Sequence, residues 1–360
     1  MSAPVKSVVV MAGGTGGHVF PALAVAEALR EKGVRIHWLG TRAGIEAELV
    51  PARQFDITYL DVSGVRGQGI ARLLLAPFKI VRAVLAAMRT LRAVQADCVI
   101  GLGGYVTGPG GVAARLLGKP LLIHEQNAVA GFTNRQLSRV ATRVLEAFPG
   151  AFPASPKVTC VGNPVRAEIA GLSQPDERFA GRTGALRVLV MGGSQGAVAL
   201  NELVPEALSI VAKQVALDIR HQAGKRNIEK ATARYKDVGV QADILPFIHD
   251  MAAMYAWADL VICRSGALTV SEIAAVGVGS VLIPYPFAVD DHQTANGRYL
   301  SEAGAALLFR QQELTAEKLA EALLPLMNRT ALLGMARAAR LKAQPESTDM
   351  VVAACLRGGK

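Results

Sequence analysis

The sequence is poor in residues that staple or metallate a fold. Among 360 residues there are four cysteines, Cys98, Cys160, Cys263 and Cys355, with no C-x-x-C pair and no mixed Cys/His cluster. This argues against a disulfide scaffold or a zinc module; buried free thiols in a reducing compartment are expected. No stretch of about 20 apolar residues is free of charge, so no transmembrane helix is expected. The N-terminal stretch carries one lysine and no signal-peptide layout, which predicts a chain made and kept in the cytoplasm. No Walker A lysine follows any of the glycine turns. Acidic residues are the scarcer charge, 29 against 39 basic ones, for a net charge of +10. That balance suits solubility, or contact with nucleic acid, an anionic membrane surface or phosphorylated ligands.

Glycine is abundant, at 36 residues, and clusters in turns after apolar runs without a fixed period. One glycine-rich turn occurs twice. Gly13-Gly14-Thr15-Gly16-Gly17-His18 follows Val8–Ala12, and Gly192-Gly193-Ser194-Gln195-Gly196-Ala197 follows Val188–Met191. Each reads as a buried strand entering a turn and then a helix, where backbone N–H groups can approach an anion. Strand-like runs alternate with helix-like stretches throughout, the pattern of a parallel sheet covered on both faces. Strands are expected at 7–11, 35–39, 57–61, 98–101, 120–124, 143–147 and 157–161, then at 187–191, 218–222, 242–245, 260–264, 280–283 and 306–309. Glu168–Thr183 breaks the apolar periodicity and holds Gly171, Pro175 and Gly181, which places a domain junction near Asn163–Thr183.

The first turn is not a dinucleotide fingerprint. Setting Gly14 and Gly16 on its first two glycines puts Val19 at the third, and the next strand ends Leu39-Gly40-Thr41 without an acid for a ribose diol. Thr15 and His18 are its polar side chains, at the carboxyl end of a strand, where open α/β sheets bind ligands. Gly101–Gly111 and His124-Glu125-Gln126-Asn127 have the same placement. His18 and Glu125 are the groups on these turns able to accept a proton near neutral pH. In the second half, Ser265-Gly266 precedes a helix-like stretch from Ala267 to Glu272, whose opening N–H groups suit a diphosphate. Glu272 suits a ribose diol, or else serves the dipole of a first helical turn. Asp290-Asp291-His292-Gln293 is too sparse for a metal site.

Leu73–Phe78 reads as an apolar loop flanked by Arg66, Arg72 and Lys79, followed by a helix with Lys79, Arg82, Arg89 and Arg92 on one stripe. Apolar residues ringed by cations suit an anionic membrane interface. Leu74, Leu75, Phe78, Lys79 and Arg82 are the candidate contacts.

Taken in order, Gly13–His18, Gly101–Gly111, His124–Asn127, Asn163-Pro164-Val165-Arg166, Gly192–Ala197, Ala267–Glu272 and Asp291-His292-Gln293 resemble the motif set of the bacterial peptidoglycan N-acetylglucosaminyltransferase family. The resemblance runs from Val8 past Asn296. It implies an α/β fold of two Rossmann-like doubly wound domains facing a cleft, the GT-B architecture. Residues 1–165 would form an acceptor and membrane domain and 166–340 a UDP-GlcNAc domain. The return of 341–360 to the first domain is left open. The implied reaction is inverting transfer of GlcNAc from UDP-GlcNAc to the 4-hydroxyl of MurNAc in undecaprenyl-pyrophosphoryl-MurNAc-pentapeptide, lipid I to lipid II, with no metal or other cofactor.

The resemblance puts donor contacts on Thr15, Gly16, Gly17, Asn127, Arg166, Ser194, Ile248, Ala267, Leu268, Thr269, Val270, Ser271, Glu272 and Gln293. Gly14, Gly104 and Tyr105 fall on the acceptor side, and the base is His18 or Glu125. The implied location is the cytoplasmic face of the inner membrane, with an undecaprenyl-pyrophosphate acceptor, an anionic membrane surface and cell-wall or division proteins as partners, and no nucleic acid. His249 before Asp250, and Gly297 where alanine is common, depart from the family pattern. A UDP-GlcNAc 2-epimerase and a membrane-associated nucleotide-sugar sensor are the alternatives.

Overall fold

Short runs rich in valine, isoleucine and leucine build two parallel sheets whose central strands are fully buried. The computed structural model describes residues 4–62, 70–193 and 196–358, and of 70–76 the backbone alone. The chain forms two compact units, residues 1–166 with 345–360, and residues 167–344.

The first unit carries β1 (Ser7–Met11), β2 (Arg35–Gly40), β3 (Asp56–Tyr59), β4 (Cys98–Gly101), β5 (Leu121–Glu125), β6 (Arg143–Glu146) and β7 (Val158–Cys160), in the sheet order β3-β2-β1-β4-β5-β6-β7. The strand order reverses between β1 and β4, where Val8 pairs with both Ile36 and Cys98. Such a switch point opens a crevice at the carboxyl ends of the strands. The second unit repeats the plan. It has β8 (Leu186–Met191), β9 (Leu217–Gln222), β10 (Asp243–Leu245), β11 (Leu260–Cys263), β12 (Gly279–Leu282) and β13 (Ala306–Leu308), in the order β10-β9-β8-β11-β12-β13. All thirteen expected strands are present, each within two residues of its expected ends. The doubly wound α/β class therefore holds for both halves.

Helix α1 (Gly16–Glu31) buries Val19, Val25 and Leu29 against the first sheet. The C-terminal helix Ser347–Leu356 joins the same core through Val351, Val352 and Cys355. Each such side chain removed from water contributes about 1.5–3 kcal/mol. Helix α2 (Glu46–Ala52) follows β2. Cys98, Cys263 and Cys355 are buried, and Cys160 is exposed on the edge strand β7.

The segment read as an apolar loop is helical. Helix α3 (Ile70–Ala93) runs through Leu73–Phe78 with Pro77 inside it. Proline removes one helical hydrogen bond, but leucine and alanine on both sides keep the turn. Ala83, Val84, Ala87 and Leu91 face the core, next to helix α4 (Thr107–Leu116). Phe78, Ile80, Val81 and Leu85 point to solvent, Phe78 with 72% of its surface exposed. Lys79, Arg82, Arg89 and Arg92 are exposed on the same helix. The side chains of Leu74 and Leu75 lie outside the described residues.

Candidate active site

The first turn leaves β1 through a buried Gly13 and a Gly14 at φ +95°, a conformation that favours glycine. Thr15 is the N-cap of α1 in extended backbone, yet its hydroxyl makes no capping bond. Gly16, Gly17 and His18 form the half-buried first turn of the helix. No acid lies in that turn. The His18 ring places Nδ1 3.3 Å from the Gly13 carbonyl oxygen. A carbonyl only accepts, so this contact puts the proton of the neutral ring on Nδ1 and the lone pair on Nε2.

The second loop abuts the first. Gly103 and Gly104 have φ of +104° and +84°. A Cβ on Gly103 would strike the His18 ring, and one on Gly104 would strike the Gly13 carbonyl. Leu102 N–H donates to Met11 O at 2.8 Å, and Thr107 Oγ1 to Gly103 O at 2.9 Å. Tyr105 is 62% exposed beside this contact.

The third loop is organised by Glu125. Its carboxylate accepts from Asn127 N and Nδ2 at 3.1 Å each, Gly131 N at 3.1 Å and Asn134 Nδ2 at 2.9 Å. Those bonds orient Asn127 and occupy a carboxylate that is 3% exposed. His124 is fully buried, which lowers its pKa; Nε2 faces Gly162 O at 2.9 Å and Nδ1 faces Gln126 Nε2 at 3.2 Å. Gln126 Nε2 also donates to Leu102 O at 2.7 Å, tying the third loop to the second. The Arg166 guanidinium lies 5.3 Å from the centre of the Phe20 ring on α1.

Glu46 carried no signal in the sequence beyond an acid in a first helical turn. It is completely buried, and it accepts from Gly14 N at 2.9 Å, Thr41 N at 2.9 Å and Thr41 Oγ1 at 2.7 Å.

In the second unit, Gly193 and Gly196 have φ of +81° and +74°, and a Cβ on Gly196 would strike Ala223 O. Ser194 lies outside the described residues. Behind the turn, Asn201 Nδ2 donates to Ala223 O at 3.0 Å, and Asn201 Oδ1 meets His221 Nε2 at 3.0 Å. Tyr235 donates its hydroxyl to His221 Nδ1 at 3.0 Å. Burial pushes His221 down to about 4 and keeps it neutral.

After β11 the chain passes a buried Ser265, whose Oγ has no hydrogen-bond partner, and an extended N-cap at Gly266. The helix Ala267–Val276 starts there without an acid in its first turn. The N–H groups of Ala267, Leu268 and Thr269 precede the first helical hydrogen bond, which Val270 N gives to Gly266 O at 2.9 Å. The Val270 N–H is spent in the helix and its side chain is wholly buried. Ser271 Oγ donates to Ala267 O at 3.0 Å.

Glu272 sits in the second turn, beyond the end of the dipole, and accepts the Tyr255 hydroxyl at 3.1 Å. Ile248 is buried beside a 41%-exposed Phe247. Gln293 Oε1 accepts from Tyr285 N at 2.9 Å, just past Asp290 and Asp291, both at positive φ. Asn296, buried, donates to Ser265 O at 3.2 Å and ties this segment to the Ala267 helix start. Among the described residues no group of three His, Cys, Asp or Glu is placed to hold a metal.

Comparison with known proteins gives this geometry a family. Residues 8–146 match the glycosyltransferase family 28 N-terminal domain, and residues 187–351 its C-terminal domain. The UDP-N-acetylglucosamine–N-acetylmuramyl-(pentapeptide) pyrophosphoryl-undecaprenol N-acetylglucosamine transferase of Marinobacter nauticus is 53% identical over 98% of both chains. The protein of the same name from Cupriavidus metallidurans is 52% identical over 97% of both. The crystal structure of Acinetobacter baumannii MurG superposes with a TM-score of 0.86 at 48% identity, covering 98% of this chain and 99% of that one. The chain belongs to glycosyltransferase family 28, among the N-acetylmuramyl-(pentapeptide) pyrophosphoryl-undecaprenol N-acetylglucosamine transferases.

Proposed function

We propose that the chain transfers GlcNAc from UDP-GlcNAc to the 4-hydroxyl of MurNAc in undecaprenyl-pyrophosphoryl-MurNAc-pentapeptide, with inversion at the anomeric carbon. One observation within this family carries the reading. The first glycine turn presents an imidazole with its Nε2 lone pair defined, while the second unit presents an acid-free helix start. His18 Nε2 takes the acceptor proton as that oxygen attacks the anomeric carbon. The bond from this carbon to the β-phosphate oxygen breaks, and UDP leaves with the electron pair. Glu125 is held by four N–H donors as the organiser of the loop that carries Asn127, which leaves the base role to His18.

In the second unit the N–H groups of Ala267, Leu268 and Thr269 meet the charge gained by UDP. Removing one such preorganised donor costs roughly 3–4 kcal/mol in comparable sites. Glu272 accepts from the ribose diol, Ile248 lines the uracil contact and Gln293 reaches the sugar. Thr15, Gly16, Gly17, Asn127, Arg166, Ser194, Leu268, Thr269 and Ser271 complete the donor contacts. Gly14, Gly104 and Tyr105 serve the acceptor.

The exposed Phe78, Ile80, Val81 and Leu85 on α3, flanked by Lys79 and Arg82, support peripheral attachment to the anionic cytoplasmic face of the inner membrane. No helix among the described residues is long and apolar enough to cross a membrane. Purified protein incubated with UDP-GlcNAc and a lipid I analogue should release UDP together with a disaccharide-lipid. Free ManNAc instead would mark an epimerase, and binding without turnover a sensor.

A further inference from the structure

We propose that Glu46 is a positioning residue for the proton transfer, acting on His18 through the single peptide group that joins Gly13 to Gly14; this rests on the reading of His18 as the base. The Gly14 N–H donates to Glu46 Oε2 at 2.9 Å, and the Gly13 carbonyl faces His18 Nδ1 at 3.3 Å. That N–H and that C=O are the two ends of one planar, resonance-linked unit. A negative charge on the N–H end draws electron density onto the carbonyl oxygen and strengthens its hold on Nδ1–H. The array is carboxylate, peptide, imidazole. It does at one remove what a buried aspartate does directly in a Ser-His-Asp site: it selects the tautomer, fixes the ring and stabilises the imidazolium that forms.

The surroundings of Glu46 fit this role better than a structural one. Its partners are uncharged donors: Thr41 N and Oγ1 hold Oε1, and Gly14 N holds Oε2. A Cβ on Gly13, Gly40 or Gly44 would strike the Glu46 side chain, so three glycines make its room. A wholly buried carboxylate is costly unless it is hydrogen-bonded, and one of the bonds that hold Glu46 is to the peptide group that faces His18.

The test compares wild type, Glu46→Gln and His18→Gln. In protein carrying 15N-labelled histidine, the His18 ring signals are those lost in His18→Gln. They should report mostly the Nδ1–H tautomer in wild type and a shift toward Nε2–H in Glu46→Gln. The kcat for UDP release with the lipid I analogue should fall about 10- to 100-fold, as when an orienting partner is removed, with KM for UDP-GlcNAc within about twofold. An unchanged tautomer balance and unchanged kcat in Glu46→Gln would overturn the proposal. Should Glu46→Gln lose its native circular dichroism, Glu46→Asp keeps the charge and shortens the reach, and the same loss of Nδ1–H preference is expected; an unchanged balance there also overturns it. Full turnover in His18→Gln would sink the base reading itself, whereas an inactive His18→Gln beside an unaffected Glu46→Gln sinks the Glu46 role alone.

Discussion

The two glycine turns share a fold position and differ in what stands behind them. Behind Gly13–His18 lies a carboxylate, Glu46, that consumes the Gly14 N–H. Behind Gly192–Ala197 lies a neutral chain, Tyr235, His221 and Asn201, that ends on the Ala223 carbonyl. A buried negative charge beside the first turn makes it a poor seat for a diphosphate and a good support for the imidazole proposed as the base. The neutral clamp leaves the field around the second turn favourable to an anion, as does the acid-free start of the Ala267 helix. A shared strand-turn-helix plan is thus compatible with opposite electrostatic work.

The comparison can be broken most sharply at the base. His18→Ala should lower kcat about 10²- to 10⁴-fold while calorimetric affinity for UDP stays near wild type; equal loss of both would make His18 a donor contact instead of the base. Glu272→Ala should show the reverse split, weakening UDP affinity about 10- to 100-fold, the value of a hydrogen bond to a charged group. Intact affinity would remove its ribose role.

The glycines give a paired test. Gly104→Ala, which meets the Gly13 carbonyl, should reduce turnover, and Gly196→Ala, which meets Ala223 O, should reduce UDP binding. Each is expected to lose about 1–3 kcal/mol from strain, read by steady-state kinetics and titration calorimetry. If both variants fail in the same assay, the division of labour is wrong.

Acid should loosen the clamp of the second turn. His221 is held near 4 by burial, below its unfolded value of about 6.5. Between those values the unfolded chain binds the extra proton, so stability falls as pH falls. The expected loss is about 2 kcal/mol at pH 5 relative to pH 7. Thermal unfolding of wild type should be steeper in pH than that of His221→Gln; equal slopes would exclude His221 as the source.

A separate test, away from both turns, concerns the outer face of α3. Replacing Phe78, Val81 and Leu85 by Ser should release the protein from anionic vesicles in a sedimentation assay, losing roughly 1.5–3 kcal/mol for each side chain that had been buried in lipid, while sparing turnover of a short-chain soluble acceptor. Retained vesicle binding would remove α3 as the anchor.

Strands were legible because apolar runs and glycine breaks are local signals, and all thirteen appear in two sheets that share one order over six strands, the first sheet adding β7 at its edge. The Leu73–Phe78 stretch misled because Pro77 reads as a break, whereas its flanks keep the helix. His18 and Glu125 stood out by residue type, but the bonds that occupy the Glu125 carboxylate did not, since they depend on Gly131 and Asn134 closing around it. The sequence by itself determined the doubly wound halves, the repeated turn and the family, through periodicity and ordered motifs. Tertiary structure alone decided which turn is clamped by charge. Gly14 and Glu46 stand 32 residues apart, and only the pairing of β1 with β2 brings that carboxylate under the first turn.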